Sequence, residues 1–261
     1  MPLQISISNS IGGGGGNLGG GGGASYSNVN SFLFDGVDDF TQGTSTYSEL
    51  DGLNKGTWSV WVYPTNTGIE IVYSNPRNTT SGHCQFLLWT WTGRLEFLIT
   101  GTGNFLRGDA TAYNYDAWNH IMVCVDLTLP LNPDRARMFL NGVDVTTSNT
   151  IYSLSSFPNG SGELWIGEDA NGYRSPFTGN IDEFGIWAGT DQRANVAEIY
   201  NSGVPNNLSS LPTAPAPTTW LRMGENATWT TYWELVDEMG TGYKLNTRNM
   251  AEASRTTDVP T

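Results

Sequence analysis

The chain has 261 residues with 12 basic and 25 acidic side chains, a formal net charge of −13. That balance argues against nucleic-acid binding, where clustered Lys and Arg supply most of the affinity. The length suffices for a large core without staples. No apolar run reaches the ~20 residues of a membrane span. No basic residue precedes Lys55, so no charged leader is written and a soluble chain is expected.

Residues 1–30 form an uncharged arm: the alternating run LQISIS, then GGGGGNLGGGGG from Gly12 to Gly23, then a Ser/Asn stretch. Ordering costs roughly 1–2 kcal/mol per residue, and glycine is the most expensive residue to order. The tract is therefore either a mobile spacer or is held by contacts from neighbouring subunits. Residues 31–203 read as strands separated by Gly, Asn, Asp and Pro: TWSVWVYP, HCQFLLWTW, RLEFLIT, WNHIMVCVDL, RMFLNG, ELWIG and NIDEFGIWA. Asn141-Gly142 between two such runs predicts a tight hairpin. In WNHIMVCVDL, Ile121, Val123 and Val125 make one face and Met122 and Cys124 the other, so both faces are apolar. DQRANVAEIYNSG predicts one short helix over 191–202, with Asp191 as N-cap and Gly203 as the stop. Residues 204–217 are a Pro-rich linker or extended wrap. Residues 218–261 are an aromatic tail expected to pack on the sandwich or on a neighbour. Cys84 and Cys124, the only cysteines, read as buried free thiols, with a disulfide open only to neighbouring strands.

SFLFDGVDDF, TWSVWVYP, AWNHIMVCVD with RMFLNGV, LWIG, FTGNIDEFGIW and AEIYNSG resemble, in that order, the laminin-G-like, concanavalin A-like lectin/glucanase superfamily. The resemblance covers residues 31–203. It implies an all-β fold, a jelly-roll β-sandwich of two curved antiparallel sheets, often with a structural calcium near one edge. Carried over residue by residue, it makes Asp35 and Asp182 the calcium side chains, against the plainer reading that both cap turns. The tail, TWLRMGE to DVP, resembles the end of laminin-G-like virion proteins of tailed bacteriophages, marine ones especially.

The hydrolases of that superfamily carry two glutamates in an ExDxxE strand. In NIDEFG, Asn180 and Gly185 stand at those positions, and two-residue alternation sends Glu183 to the face opposite Asp182. No nucleophile elbow is present. His120 reads as a satisfied structural histidine, His83 has no carboxylate partner in sequence, and Asp38-Asp39 reads as turn chemistry. No catalytic residue is expected. Sugar recognition needs an aromatic face with nearby polar groups. Trp89 and Trp91 on one strand face, Arg94 after them, and Asp169, Asn171, Tyr173 and Arg174 in a polar loop are the carbohydrate-binding candidates. Core packing for the tryptophans and an ordinary solvated loop are the alternatives.

The expected function is a virion structural protein (capsid decoration, head-fibre or tail-fibre component) displaying a lectin-like domain toward host or environmental glycans. The alternative is a secreted or cell-surface adhesion module, and a glycoside hydrolase stands third. Other virion subunits are expected to contact residues 1–30 and the tail, in a homo-oligomer with a trimer favoured, at the virion surface, without nucleic acid or membrane insertion.

Overall fold

Every residue of the run Asn119–Asp126 is buried. A strand without a solvent face belongs between two layers. The computed structural model describes residues 26–77, 84–91, 94–99, 104–111, 113–130, 134–151, 154–159, 162–170 and 175–261, with the backbone alone for 76–77 and 84–91. The tract Gly12–Gly23 lies outside the described residues.

In chain order the strands are β1 (Ser31–Asp35), β2 (Phe40–Gly43), β3 (Lys55–Pro64), β4 (Glu70–Arg77), β5 (Cys84–Trp91) and β6 (Arg94–Ile99). They continue with β7 (Phe105–Asp109), β8 (Asn119–Asp126), β9 (Ala136–Leu140), β10 (Val143–Asp144), β11 (Thr146–Asn149) and β12 (Trp165–Ile166). The last six are β13 (Thr178–Ala188), β14 (Thr219–Leu221), β15 (Thr228–Trp229), β16 (Trp233–Val236), β17 (Lys244–Arg248) and β18 (Arg255–Thr256). The first sheet runs β10-β9-β8-β3-β13-β1-β18, with β14 also on β13. The second runs β11-β7-β6-β5-β4-β12-β2-β17-β16-β15. All their pairings are antiparallel.

The expected division of β8 holds. Ile121, Val123 and Val125 enter the main core with Trp58, Phe97 and Phe184. Met122 and Cys124 face the other way, into a second core with Trp187, Val196, Ile199, Leu208 and Trp220. That second core is roofed by residues 204–217, which wrap against the sheet: Leu208 and Ala214 are buried, and Trp187 Nε1 donates to the Pro215 carbonyl at 2.7 Å. Cys124 is a free, buried thiol; Cys84 belongs to a strand of the other sheet, so the two do not bridge.

The helix is shorter than expected. A 3-10 turn, Arg193–Asn195, leads into α1 (Val196–Tyr200) and a second turn, Asn201–Gly203. Asp191 Oδ1 accepts from Arg193 N at 3.0 Å and so holds the entry turn rather than capping α1. The helix ends at Asn201, in the left-handed region at φ 48, two residues before the glycine. The hairpin at Asn141-Gly142 is as expected, with φ of 50 and 79. A Cβ on Gly142 would meet Tyr200 Cδ1 at 2.6 Å. The tail enters both sheets: β14 pairs with β13, β17 with β2 and β18 with β1. Among the described residues no helix is long and apolar enough to cross a membrane.

Candidate functional site

The pairing of β13 with β3 slips between Asp182 and Gly185. A bulge inserts a residue and breaks two-residue alternation, and Glu183 takes a left-handed φ of 48. Glu183 therefore does not oppose Asp182, as alternation predicts. A carboxylate oxygen of each, with one of Glu225, lies within 4.8 Å of the others. Asp182 Oδ1 accepts from Glu183 N at 2.8 Å and Oδ2 from Asn28 Nδ2 at 2.9 Å. Glu183 Oε1 accepts from Arg222 Nε at 3.1 Å and Tyr26 OH at 3.3 Å, and Oε2 from Trp220 Nε1 at 2.6 Å. Glu225 Oε1 accepts from Val29 N and Asn30 N at 2.8 and 2.9 Å. The Arg222 guanidinium lies over the Tyr26 and Trp220 rings at 4.7 and 5.3 Å. Of the three carboxylates, Glu183 and Glu225 pair with Arg222, at 3.1 and 3.9 Å. Burial pushes the Asp182 carboxyl well up, aided by Glu183 and Glu225. Burial takes Glu183 up to about 7 while Arg222 pulls it down. Burial and Glu183 together keep the Tyr26 phenol protonated.

Asp35 is not part of this cluster, which corrects the pairing expected from the resemblance. The register sets Asp35 opposite Thr178, four positions from Asp182, about 13 Å along a strand. Asp35 Oδ1 accepts from Val37 N and Asp38 N at 2.8 and 3.3 Å, and Asp39 Oδ2 from Asp35 N at 3.1 Å, which holds the turn before β2. Calcium takes six to eight oxygens. Around Asp182, the Asp182 and Glu183 oxygens and Glu225 Oε1 are taken by protein donors. Among the described residues only Glu225 Oε2 and Asn28 Oδ1 lack partners there, and Arg222 already supplies the cation. These donors do not fit calcium. The partners Tyr26, Asn28, Trp220, Arg222 and Glu225 escape a reading of the sequence; Tyr26 lies 157 residues from Glu183, and only the fold joins them.

The second constellation is the outer face of the second sheet. Ile166, Leu235 and Leu245 enter the main core, so their strand neighbours Trp165, Glu234 and Asn246 face away. Phe40 and Trp165 stack with ring centroids 4.6 Å apart and planes 2° from parallel. The register places Trp165, Gln42, Asn246 and Glu234 in one row across β12, β2, β17 and β16. Arg248 Nε donates to Gln42 Oε1 at 3.3 Å, and Lys244 Nζ lies 2.7 Å from Glu234 Oε1. Among the described residues, the buried Trp165 Nε1 and Asn246 Oδ1 have no hydrogen-bond partner. Toward the other end of the sheet, Glu96 lies between Arg94 at 3.2 Å and Arg107 at 2.7 Å, and the Arg107 guanidinium sits 3.8 Å over the Phe105 ring.

Of the expected sugar-binding residues, Arg94 lies in this row of ion pairs, engaged with Glu96. Trp89 and Trp91 occupy register positions opposite Glu96 and Arg94; their side chains lie outside the described residues, as do Asn171, Tyr173, Arg174 and His83. Asp169 is 2% exposed, so it does not stand in a solvated polar loop as expected. Phe40, Gln42, Trp165 and Asn246 went unnoticed in the sequence. FTQG and LWIG alternate correctly, but alternation does not say which face is outer. His120 is buried and structural but only half satisfied: Nε2 bonds Ser59 Oγ at 2.7 Å, while among the described residues Nδ1 has no partner. Burial lowers its pKa to about 3.

Residues 35–197 match the Laminin_G_3 family, the concanavalin A-like lectin/glucanases superfamily. The match spans more than half of the chain, which belongs to that superfamily. Among solved structures, the chain is similar to the heptameric SAP-like pentraxin of Limulus polyphemus, with 12% identity, 88% of this chain and 100% of that chain covered, and a TM-score of 0.48. It is also similar to domain 4 of AbnA, a GH43 extracellular arabinanase of Geobacillus stearothermophilus in complex with arabinotriose, with 18% identity, 69% and 82% covered, and a TM-score of 0.48. The CBM40 of the Ruminococcus gnavus IT-sialidase, bound to α2,3 sialyllactose, is 16% identical, with 64% and 94% covered and a TM-score of 0.46. A comparison with curated proteins finds no match.

Proposed function

We propose that the protein is a non-catalytic carbohydrate-binding module that takes glycans across the outer face of its second sheet. The observation that carries this is the Phe40–Trp165 stack beside Gln42, Asn246 and Arg248. Aromatic rings pack the apolar face of a pyranose, and fixed polar side chains meet its hydroxyls. The non-catalytic part rests on spacing. Double or single displacement at a glycosidic bond needs two carboxyls roughly 5–9.5 Å apart. The ion-paired acids of this face, Glu96 and Glu234, sit on β6 and β16, six strand positions apart, roughly 29 Å along the sheet. A glycan array followed by titration calorimetry tests this: Phe40→Ala and Trp165→Ala should each weaken binding at least about tenfold with the fold retained. A folded wild-type protein that binds no glycan ends the proposal.

We further propose that the module is carried on a bacteriophage virion, in several copies, so that weak single sites add up to firm adhesion. The support is the resemblance of the tail, from Thr219 to Pro260, to laminin-G-like phage proteins. Mass spectrometry of purified particles checks it. A particle proteome without the chain removes the virion reading and leaves the glycan reading standing.

A further inference from the structure

Away from both constellations, the rim between the sheets carries two adjoining grooves of about 490 and 200 Å³ that share Glu49 and Thr241. The floor of the larger is aliphatic: Leu53, Ala188, Pro217 and Met239. Hydroxyls of Ser48 and Thr241 edge the trough. Its walls are fixed in advance. Asp237 Oδ1 accepts from Trp220 N at 2.7 Å, and Oδ2 from Thr241 N and Oγ1 at 3.2 and 2.6 Å, which pins the loop before β17. Tyr243 OH donates to the Ser45 carbonyl at 3.1 Å and accepts from Leu164 N at 3.0 Å, which pins the opposite wall.

Glu49 stands where the grooves meet. Its Oε2 accepts from Tyr47 OH at 3.3 Å and Thr219 Oγ1 at 3.0 Å. Among the described residues nothing donates to Oε1, and no Lys or Arg forms an ion pair with Glu49. A carboxylate anchored by one oxygen, open at the other and set over an aliphatic floor matches one kind of side chain. Lys and Arg lay an apolar stem along apolar surface and hold a cation at the tip. A sugar fits less well, because the larger groove has no aromatic residue in its lining and Tyr47 of the smaller one is buried.

We propose that this trough docks an extended segment of a basic partner protein, with one Lys or Arg side chain laid on the floor and its head at Glu49. The net charge of −13 draws such a partner in from solution. The site is separate from the glycan face and stands without it.

The test uses the full chain with labelled methionine methyls, so that Met239 reports on the floor. The probes are acetyl-Ala-Ala-Lys-Ala-Ala-amide and its Gln counterpart. The Lys peptide should shift the Met239 resonance and bind at least about fivefold more tightly than the Gln peptide. Glu49→Gln keeps an acceptor for Tyr47 and Thr219 and should abolish that preference. Ser48→Arg, at an exposed position, supplies an internal cation and should also abolish it, which covers the case in which the first variant does not fold. Equal binding of the two peptides, no shift of Met239 with either, or a shift produced by a neutral oligosaccharide instead, would overturn the proposal.

Discussion

Replacing Glu183 by Gln removes one titrating carboxylate from a site that burial makes proton-seeking. Its carboxyl stands at about 7 against an ordinary 4.5. Between those values the folded chain holds a proton that the unfolded chain has released. Stability therefore rises as the pH falls through about 7 and levels off below 4.5. One pKa unit is about 1.4 kcal/mol, so Glu183 contributes about 2.5 kcal/mol between pH 8 and pH 5. Glu70, raised to about 7 by burial, adds a similar amount in the same direction. His120 opposes them: burial lowers it from 6.5 to about 3. Below 6.5 the unfolded chain takes a proton that the fold refuses, a loss of about 2 kcal/mol by pH 5. Asp182, raised by burial as well, adds in the same direction as Glu183 and Glu70, so the wild-type protein should gain stability from pH 8 to pH 5, and Glu183→Gln should gain about 2.5 kcal/mol less than the wild type. Urea unfolding followed by tryptophan fluorescence at constant ionic strength measures both. Parallel pH curves for the two proteins would refute the reasoning. So would a wild-type stability that falls between pH 8 and pH 6.5, before His120 titrates.

Gly179 has φ 128, and a Cβ there would lie 1.9 Å from the Tyr63 carbonyl oxygen. Gly179→Ala should cost about 4 kcal/mol in urea unfolding. Gly52→Ala, at φ 68 with nothing within 4 Å, should cost only about 1 kcal/mol; similar losses at the two sites would contradict the clash. A chelator should leave the melting temperature unchanged within ~1 °C, because protein donors hold the oxygens of Asp182 and Glu183; a larger drop would restore the calcium reading. Burial pushes the Cys124 thiol up, so in a Cys84→Ala background a thiol reagent should react only after urea is added. Prompt reaction of the native protein would mean the second core opens readily.

The strands of residues 31–203 were legible because their evidence is local. Alternation, β-branched and aromatic residues, and Asn-Gly punctuation each act over two to eight positions, and the two apolar faces of β8 could be read directly. The helix was over-read because Val196, Ile199 and Tyr200 keep helical spacing while Asn201 and Ser202 already take left-handed φ, a choice that packing makes. The opposition of Asp182 and Glu183 failed for one reason: a bulge is invisible to a two-residue period. The tail looked like an appendage because none of its short strands, two to five residues each, has a face of its own until β14, β17 and β18 lie beside β13, β2 and β1 and β15 and β16 extend the row from β17.

What the sequence determined by itself is therefore the two-sheet sandwich, the superfamily and the absence of the paired glutamates, all carried by residues near one another in the chain. The tertiary structure decided which face of the second sheet is outward, and so that Phe40 and Trp165 stack on that face while Asp169 is buried. It also decided that Asp182 is held by Asn28 from the arm while Arg222 of the tail holds its neighbour Glu183, in place of Asp35. Pairing across nearly the whole length of the chain creates those neighbours, and no local pattern encodes a contact made at that separation.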